Sequence, residues 1–207
     1  MDSVTILSFL AAAIVLTVMP GPDNMFVLSQ SILKGKYAGI FTSLGLCTGL
    51  LVHISAATIG ISALVYQSAI AFSIVKYIGA AYLLYLAYKA FRASPTSFQL
   101  RRETNLHYKS LYKRGVIMNV LNPKVSLFFL ALLPQFVNEN AGQVSLQMLV
   151  LGVIFLIQAL ILFTLLSYFA EKVGQFLQKS ARISKRLHWI EGSILAFIGI
   201  HIAFSEK

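Results

Sequence analysis

Two short segments of the chain place proline beside side chains that carry charge or amide groups, and both lie inside apolar sequence. The first is PGPDN at residues 20–24, and the second is NPK at residues 122–124. Proline removes a backbone donor and clashes with the preceding turn, so each segment predicts a helix that stops and starts again. Gly21 adds backbone freedom at the first break. Asparagine before proline is typical of a helix start, which the second segment supplies.

A helix that restarts inside a membrane presents free backbone N–H groups and about half a positive charge, which together form an anion site. The ammonium of Lys124 adds a full charge. The carboxylate of Asp23 can bind a substrate ammonium, take up a proton, pair with Lys124, or cap its own half-helix through Met25 or Phe26. The candidate substrate-binding residues at the breaks are Pro20, Gly21, Pro22, Asp23, Asn24, Asn122, Pro123 and Lys124.

The two breaks are predicted to lie at similar depth in the membrane. Asp23 comes 11 residues before Lys34, and Lys124 comes 10 residues after Arg114. A rise of 1.5 Å per residue places each roughly 15 Å from the basic surface, which is half of a hydrocarbon core of about 30 Å. A packing kink satisfied by a neighbouring helix is the alternative for each break. Two breaks, each beside an ionisable residue, favour a functional site.

The elements that carry these breaks are predicted membrane helices. Hydrophobic residues make up 57% of the 207 residues and charged residues 12%, against roughly a quarter charged in soluble proteins. Charged side chains are absent from residues 3–22, 37–75 and 140–170, and a span needs about 20 apolar residues. The apolar runs predict six helices, at residues 4–33, 38–66, 69–91, 113–134, 145–170 and 187–205.

The basic residues predict the orientation of these helices. Fourteen of the 17 lie in or beside the connections that follow the first, third and fifth helices. By the positive-inside rule these connections face the cytoplasm, and both termini lie outside. The net charge of +10 therefore indicates orientation and not a nucleic-acid partner. A basic loop on this side can also bind anionic lipid head groups.

The order of the helices predicts an inverted repeat within a single transmembrane domain of residues 1–207. The first repeat covers about residues 1–92, a cytoplasmic loop covers about 93–112, and the second repeat covers about 113–207. Sequence similarity between the halves is faint, so the prediction rests on topology and on the proline break that opens each half. The predicted fold is an all-α integral membrane protein with six transmembrane helices in a 3+3 inverted-topology repeat.

Other polar residues in the helices have simpler interpretations and are secondary candidates for the site. Lys76 lies about two turns from the outer end of the third helix, so its ammonium can reach the interface. His53 shares a face with Gly45, Gly49 and Ala57 and is expected to be a hydrogen-bonded packing residue. The same small-residue face can serve an internal helix contact or a homodimer.

Three longer segments have the pattern of a known family, namely MPGPDNMFVLSQSILKGKYAGIFTSLGLCTGLLVH, VKYIGAAYLLYLAYKAFRA and GVIMNVLNPKVSLFFLALLPQFV. They resemble the LysE/RhtB family of amino-acid exporters, closely over residues 17–137 and more weakly to the C-terminus. The resemblance implies a multi-pass protein of the bacterial inner membrane that exports amino acids or close derivatives, driven by the proton motive force. It implies motif roles for both breaks and adds Gln135. Family members vary at the positions of Asp23 and Asn24, so Asp23 is expected to tune substrate choice.

The combined prediction is a secondary exporter of a small neutral amino acid such as threonine, homoserine or leucine. Its carboxylate would be held by the two helix N-termini and Lys124, and its ammonium near Asp23, Asn24 or backbone carbonyls. No metal, cofactor or catalytic residue is predicted. A divalent-metal exporter is one alternative, for which Asp23 and His53 are the ligands inside the membrane. An intramembrane enzyme is the other, although the histidines are scattered and Cys47 is single.

Overall fold

A computed structural model describes residues 1–61, 69–92, 107–138, 141–170, 172–174 and 181–204. The described residues form helices and connecting turns, and no strand occurs among them. The helices are α1 (Ser3–Val18), α2 (Pro22–Lys34), α3 (Lys36–Ala56), α4 (Ala69–Phe91), α5 (Tyr108–Val120), α6 (Pro123–Leu127), α7 (Val144–Tyr168) and α8 (Ala181–Phe204). The prediction of an all-α protein is confirmed for these ranges.

Several of these helices are long and apolar enough to cross a bilayer. Among the described residues, Lys36–Gly60 and Val144–Tyr168 each qualify alone. Two more spans follow if α1 with α2, and α5 with Pro123–Phe136, are each counted as one bent span. The chain is thus a multi-pass membrane protein. The end of the predicted second helix, at residues 62–66, and most of the basic loop lie outside the described residues. The count of six spans stays a prediction.

The first break separates α1 from α2, whose axes differ by 56°. α1 ends at Val18, and Pro22 occupies the first position of α2, where a missing N–H costs no intrahelical bond. The Nδ2 atom of Asn24 donates to the carbonyl oxygens of Thr17 and Met19, both at 2.8 Å, and of Val18 at 3.2 Å. Helix ends leave such carbonyls without partners. The side chain of Asn24 therefore stabilises the end of α1.

The second break separates α5 from α6, and here the bend is 46°. Asn122 is the N-cap of α6, and its Oδ1 atom accepts a hydrogen bond from the backbone N–H of Lys124 at 3.0 Å. Pro123 occupies the first helical position. Both predicted features of this helix start, the Asn cap and the Pro at its first position, are confirmed.

Small residues let α3 and α5 approach closely. A Cβ atom on Gly45 would collide with the backbone oxygen of Tyr112, and one on Gly49 would lie 2.8 Å from Cβ of Asn119. Close backbone approach at small residues is a common way for membrane helices to pack. The Gly45 and Gly49 face is therefore an internal contact, and a homodimer through this face does not fit because α5 covers it.

Aromatic rings fill the space between α1, α7 and the segment that follows α6. That segment continues as a π-helical turn, Phe128–Leu132, and a 3-10 turn, Leu133–Phe136. Neighbouring ring centroids are 4.9 to 5.9 Å apart, within the range of favourable aromatic pairs. The rings are those of Phe9, Phe128, Phe129, Phe136 and Phe155. We call them the aromatic cluster.

Candidate functional site

The two helix breaks meet at a small cavity of about 30 Å³, which we call the break cavity. A cavity of this size holds water but no amino acid. Phe155 of the aromatic cluster forms part of its apolar wall, with Leu50 of α3. Polar groups come from both breaks and from the helices before them. The polar side chains that line the cavity are Thr17, Asp23, Asn24, Asn119, Asn122 and Lys124.

Asp23 is the buried carboxylate of this cavity, with 7% of its surface exposed. Its Oδ2 atom accepts a hydrogen bond from Nδ2 of Asn119 at 3.1 Å. Its Oδ1 atom is buried and has no hydrogen-bond partner among the described residues. The N–H of Met25 donates to the carbonyl of Gly21 at 2.9 Å, and α2 has no side-chain cap. The alternative that Asp23 caps its own half-helix is therefore wrong.

Asn119 joins three parts of the site. Its side chain holds Asp23, and its backbone oxygen lies 3.0 Å from Nε2 of His53. Because a carbonyl oxygen only accepts, Nε2 is the donor in this bond. The His53 ring also stacks on Phe129, with centroids 6.1 Å apart. The interpretation of His53 as a hydrogen-bonded packing residue is in keeping with this geometry, and it lies behind Asn119 and not on the cavity wall.

Asn119 was not among the site residues predicted from the sequence, although it lies in the segment MNVLNPK. The available signal was a second amide in an apolar run, three residues before Asn122 and therefore on nearly the same helix face.

Lys124 connects the second break to the first. Its Nζ atom lies 3.4 Å from the carbonyl oxygen of Met19, at the end of α1. Cations near a helix C-terminus are stabilised by the helix dipole and by the unpaired carbonyls. The backbone N–H of the same residue is taken by Asn122. The start of α6 is therefore capped by its own sequence, whereas the start of α2 has no side-chain cap.

Gly21 lines the break cavity beside Lys124. Its φ of −160° and ψ of 177° are extended values that any residue adopts, so the conformational freedom expected of this glycine is not used. A Cβ atom here would lie 3.5 Å from Nζ of Lys124, which is an ordinary van der Waals distance. A methyl group would therefore fit beside the ammonium.

A second polar pair, which was likewise not predicted from the sequence, connects α7 to the break cavity. Gln158 is buried, and its Nε2 atom donates to Oγ1 of Thr17 at 2.9 Å. Its Oε1 atom is buried without a partner among the described residues. Burying an amide side chain in the middle of a highly apolar helix costs free energy, so such a residue is a candidate for a functional role. This was the available sequence signal. The pair ties α7 to the last turn of α1.

Four further predicted residues, in addition to His53, lie off the break cavity. Pro20 lines a neighbouring crevice, and Pro123 starts α6 and is exposed. Gln135 lies in the 3-10 turn, where its buried Nε2 atom has no partner among the described residues. Lys76 places its Nζ atom 4.8 Å from the centroid of the Tyr77 ring on α4. The structure therefore brings together Gly21, Pro22, Asp23, Asn24, Asn122 and Lys124.

The chemistry available at the break cavity is the binding of charged groups of both signs. A carboxylate, an ammonium, amides and an uncapped helix start lie around one space. Within the described ranges, no group of three His, Cys, Asp or Glu side chains could hold a metal ion. The alternative of a divalent-metal exporter therefore gains no support from this geometry, because such ions need several ligands.

Comparison with known proteins places the chain among membrane transporters. A family model described as LysE type translocator matches residues 14–206. An uncharacterized membrane protein of Bacillus subtilis, YrhP, is 31% identical over 97% of this chain and 99% of its own length. An uncharacterized membrane protein of Vibrio cholerae is 32% identical over 100% of both chains.

A leucine efflux protein of Salmonella choleraesuis is 32% identical over 70% of this chain and 69% of its own length. No solved structure matches the chain. The family match includes both helix breaks.

Proposed function

The chain belongs to the LysE type translocator family, and on this premise we propose that it exports neutral amino acids across the bacterial inner membrane, driven by the proton motive force. The observation that carries the proposal is the break cavity, whose wall holds a buried carboxylate from one broken helix and an ammonium from the other. An amino-acid zwitterion presents one group of each sign to this pair. The family and the leucine efflux relative support a transporter and not an enzyme.

The proposed binding mode follows from which groups are already engaged. The substrate carboxylate binds Nζ of Lys124 and the uncapped first turn of α2, because a helix start favours anions. The substrate ammonium binds Oδ1 of Asp23, which is buried and has no partner among the described residues. The start of α6 is capped by Asn122, and the amide of Asn24 holds the end of α1. These two groups shape the site and do not bind substrate.

The proposed substrate class is a neutral amino acid, with leucine as the first to test. A pocket with one carboxylate and one ammonium favours a zwitterion over an amino acid with a charged side chain. The cavity wall includes Leu16, Leu50 and Phe155, which are apolar. The Salmonella relative carries the name leucine efflux protein, which supports the same substrate.

Proton coupling is proposed to act through Asp23. It is the carboxylate of the break cavity, and binding a proton there would remove the charge that holds the substrate ammonium. Release of the proton on the other side of the membrane would restore it. The position of Asp23 within the cavity supports the proposal, since a coupling group must compete with substrate for the same space.

The transport cycle is proposed to be a movement of two three-helix halves around the break cavity. The cavity of about 30 Å³ is too small for an amino acid, so its walls must separate to admit one. The helix contacts have the pattern expected of an inverted repeat, which supports this movement. Helix α3 packs on α5, and the corresponding pair is α7 on α1. Helices α3 and α7 pair across the halves, as do α4 and α8. Exchange of the two halves of an inverted repeat produces such a pattern. Both termini are proposed to lie outside, on the side opposite the basic connections.

The test of the binding mode is counterflow of labelled leucine in proteoliposomes, comparing the wild type with Lys124→Gln. Removal of a charge-assisted hydrogen bond costs about 1.5–3 kcal/mol, so we expect leucine counterflow at low substrate concentration to fall about tenfold or more. Lys113→Gln is the matched control, because Lys113 lies on α5 and is exposed. Unchanged counterflow in Lys124→Gln would exclude the proposed carboxylate site.

A further inference from the structure

A second, larger cavity lies beside the break cavity, between α2 and the C-terminal half of α7. Its volume is about 410 Å³, which is within the usual range for small-molecule sites. Except for Thr17 and Asn24, the residues that line it are apolar. We call it the apolar crevice and define it by Met25, Leu28, Leu162, Phe163 and Leu166.

The apolar crevice shares a wall with the break cavity. Thr17, Asn24 and Phe163 line both spaces, so the partition between them is one layer of side chains. The ring of Phe163 is buried, with 6% of its surface exposed. This ring is therefore part of the partition between the two spaces.

The apolar crevice also lies on the side of the molecule from which an exporter loads. Leu28 comes five residues after Asp23 along α2, toward Lys34, and the far wall of the crevice reaches Val173, next to Lys172. The basic residues assign this end to the cytoplasm. Substrate therefore meets the crevice on its way from the cytoplasm to the break cavity.

We propose that the apolar crevice holds the side chain of the exported amino acid and favours large apolar side chains. This inference rests on the proposed function. The ammonium, the carboxylate and the side chain of an α-amino acid are all bonded to its Cα atom, so binding the two charged groups at Asp23 and Lys124 fixes where the side chain must begin. A cavity of about 30 Å³ has no room for it. The adjoining crevice has the space and the apolar walls.

The same geometry makes Leu166 a specificity residue. It lies on α7, half-buried, between the partition residue Phe163 and the rim residue Phe169. A hydrophobic pocket distinguishes side chains that differ by one methylene about tenfold or more. Filling the pocket at Leu166 should therefore reject leucine and still accept alanine, whose methyl group does not extend into the crevice.

The test compares counterflow of labelled leucine and labelled alanine in proteoliposomes that contain wild type, Leu166→Trp or Ile161→Trp. Ile161 is the matched control because it lies on the same helix, is exposed and does not line the crevice. In Leu166→Trp we expect leucine counterflow to fall about tenfold relative to alanine counterflow. In Ile161→Trp we expect the ratio of the two substrates to equal that of the wild type.

A second variant, Leu166→Ala, covers the case in which tryptophan prevents folding, since it removes atoms and adds none. It should raise phenylalanine counterflow relative to leucine. Unchanged substrate ratios in both Leu166 variants would overturn the inference and would assign the crevice to lipid chains. If Leu166→Trp loses leucine and alanine transport equally, the ratio of phenylalanine to leucine in Leu166→Ala decides, and an unchanged ratio there would overturn the inference. Wild-type protein that transports no amino acid would overturn the proposed function itself, and with it the inference.

Discussion

The two helix breaks use the same residue types in opposite directions. At the first break, the amide of Asn24 reaches back and donates to the last carbonyls of α1. At the second, the amide of Asn122 accepts from the first N–H of α6, ahead of it in the chain. The first break therefore satisfies the helix that ends and leaves the next start uncapped. The second break satisfies the helix that begins.

This difference assigns different tasks to the two halves of the molecule. The start of α2 has no side-chain cap, which is why we propose it as the anion site, and it also carries the carboxylate of Asp23 in its first turn. The capped start of α6 offers no such end, and its contribution is the ammonium of Lys124, which extends across to Met19. The proposed inverted repeat thus does not require equal chemistry in its two halves, because one side chain at each break decides which backbone groups stay available.

The largest expected effect distinguishes the role of the Asp23 carboxylate from that of the Lys124 ammonium. Asp23→Asn should abolish export driven by a pH gradient while leaving part of the leucine counterflow, because an amide oxygen still accepts a hydrogen bond but carries no exchangeable proton. Lys124→Gln should reduce both activities alike, since it removes substrate binding only. Equal loss of both activities in Asp23→Asn would show that this carboxylate binds substrate without coupling protons.

A smaller effect is expected from the amides. Asn24→Asp removes the donor that holds three carbonyls of α1, and the loss should lower the free energy of unfolding by roughly 3 kcal/mol. Asn122→Ser is its control, because Ser is as good an N-cap as Asn and adds no second carboxylate beside Asp23, and a change within about 1 kcal/mol is expected. Thermal unfolding in detergent measures both. Similar destabilisation by the two variants would contradict the opposite directions of these amides.

The smallest effect is expected at Gly21. A methyl group there lies at ordinary contact distance from Lys124, and the extended backbone suits any residue. Gly21→Ala should therefore change stability by less than about 0.5 kcal/mol and retain leucine counterflow. Gly49→Ala is the contrasting variant: its Cβ would lie 2.8 Å from that of Asn119, which should cost about 1–3 kcal/mol. Strong destabilisation by Gly21→Ala would mean that the break needs glycine for its conformation.

The sequence was sufficient to predict the breaks because their causes are local. Proline at positions 22 and 123 and asparagine at position 122 act on their own turns, so no knowledge of the neighbouring helices was needed. The depth of the two breaks stays a prediction, which rests on counting residues to the nearest basic side chains. The meeting of Asp23 and Lys124 at one cavity followed from the same count.

The partners of these residues were beyond the sequence because they depend on which helix faces meet. Asn119 reaches Asp23 only because Gly49 lets α3 and α5 come together. Gln158 reaches Thr17 across two helices that are far apart in the chain. The same limit explains Asp23 itself: local rules favour a capping carboxylate near a helix start, but tertiary contact with Asn119 determines its hydrogen bond.

The hydrogen bond from Lys124 to the carbonyl of Met19 has a consequence for the idle protein. A transporter driven by the proton motive force dissipates that force if ions pass through it when no substrate is bound. With the ammonium of Lys124 at the end of α1, this hydrogen bond joins the two broken helices beside the break cavity. A substrate carboxylate that binds the ammonium would break this hydrogen bond. The proposed transporter would then separate its two broken helices only when substrate is bound.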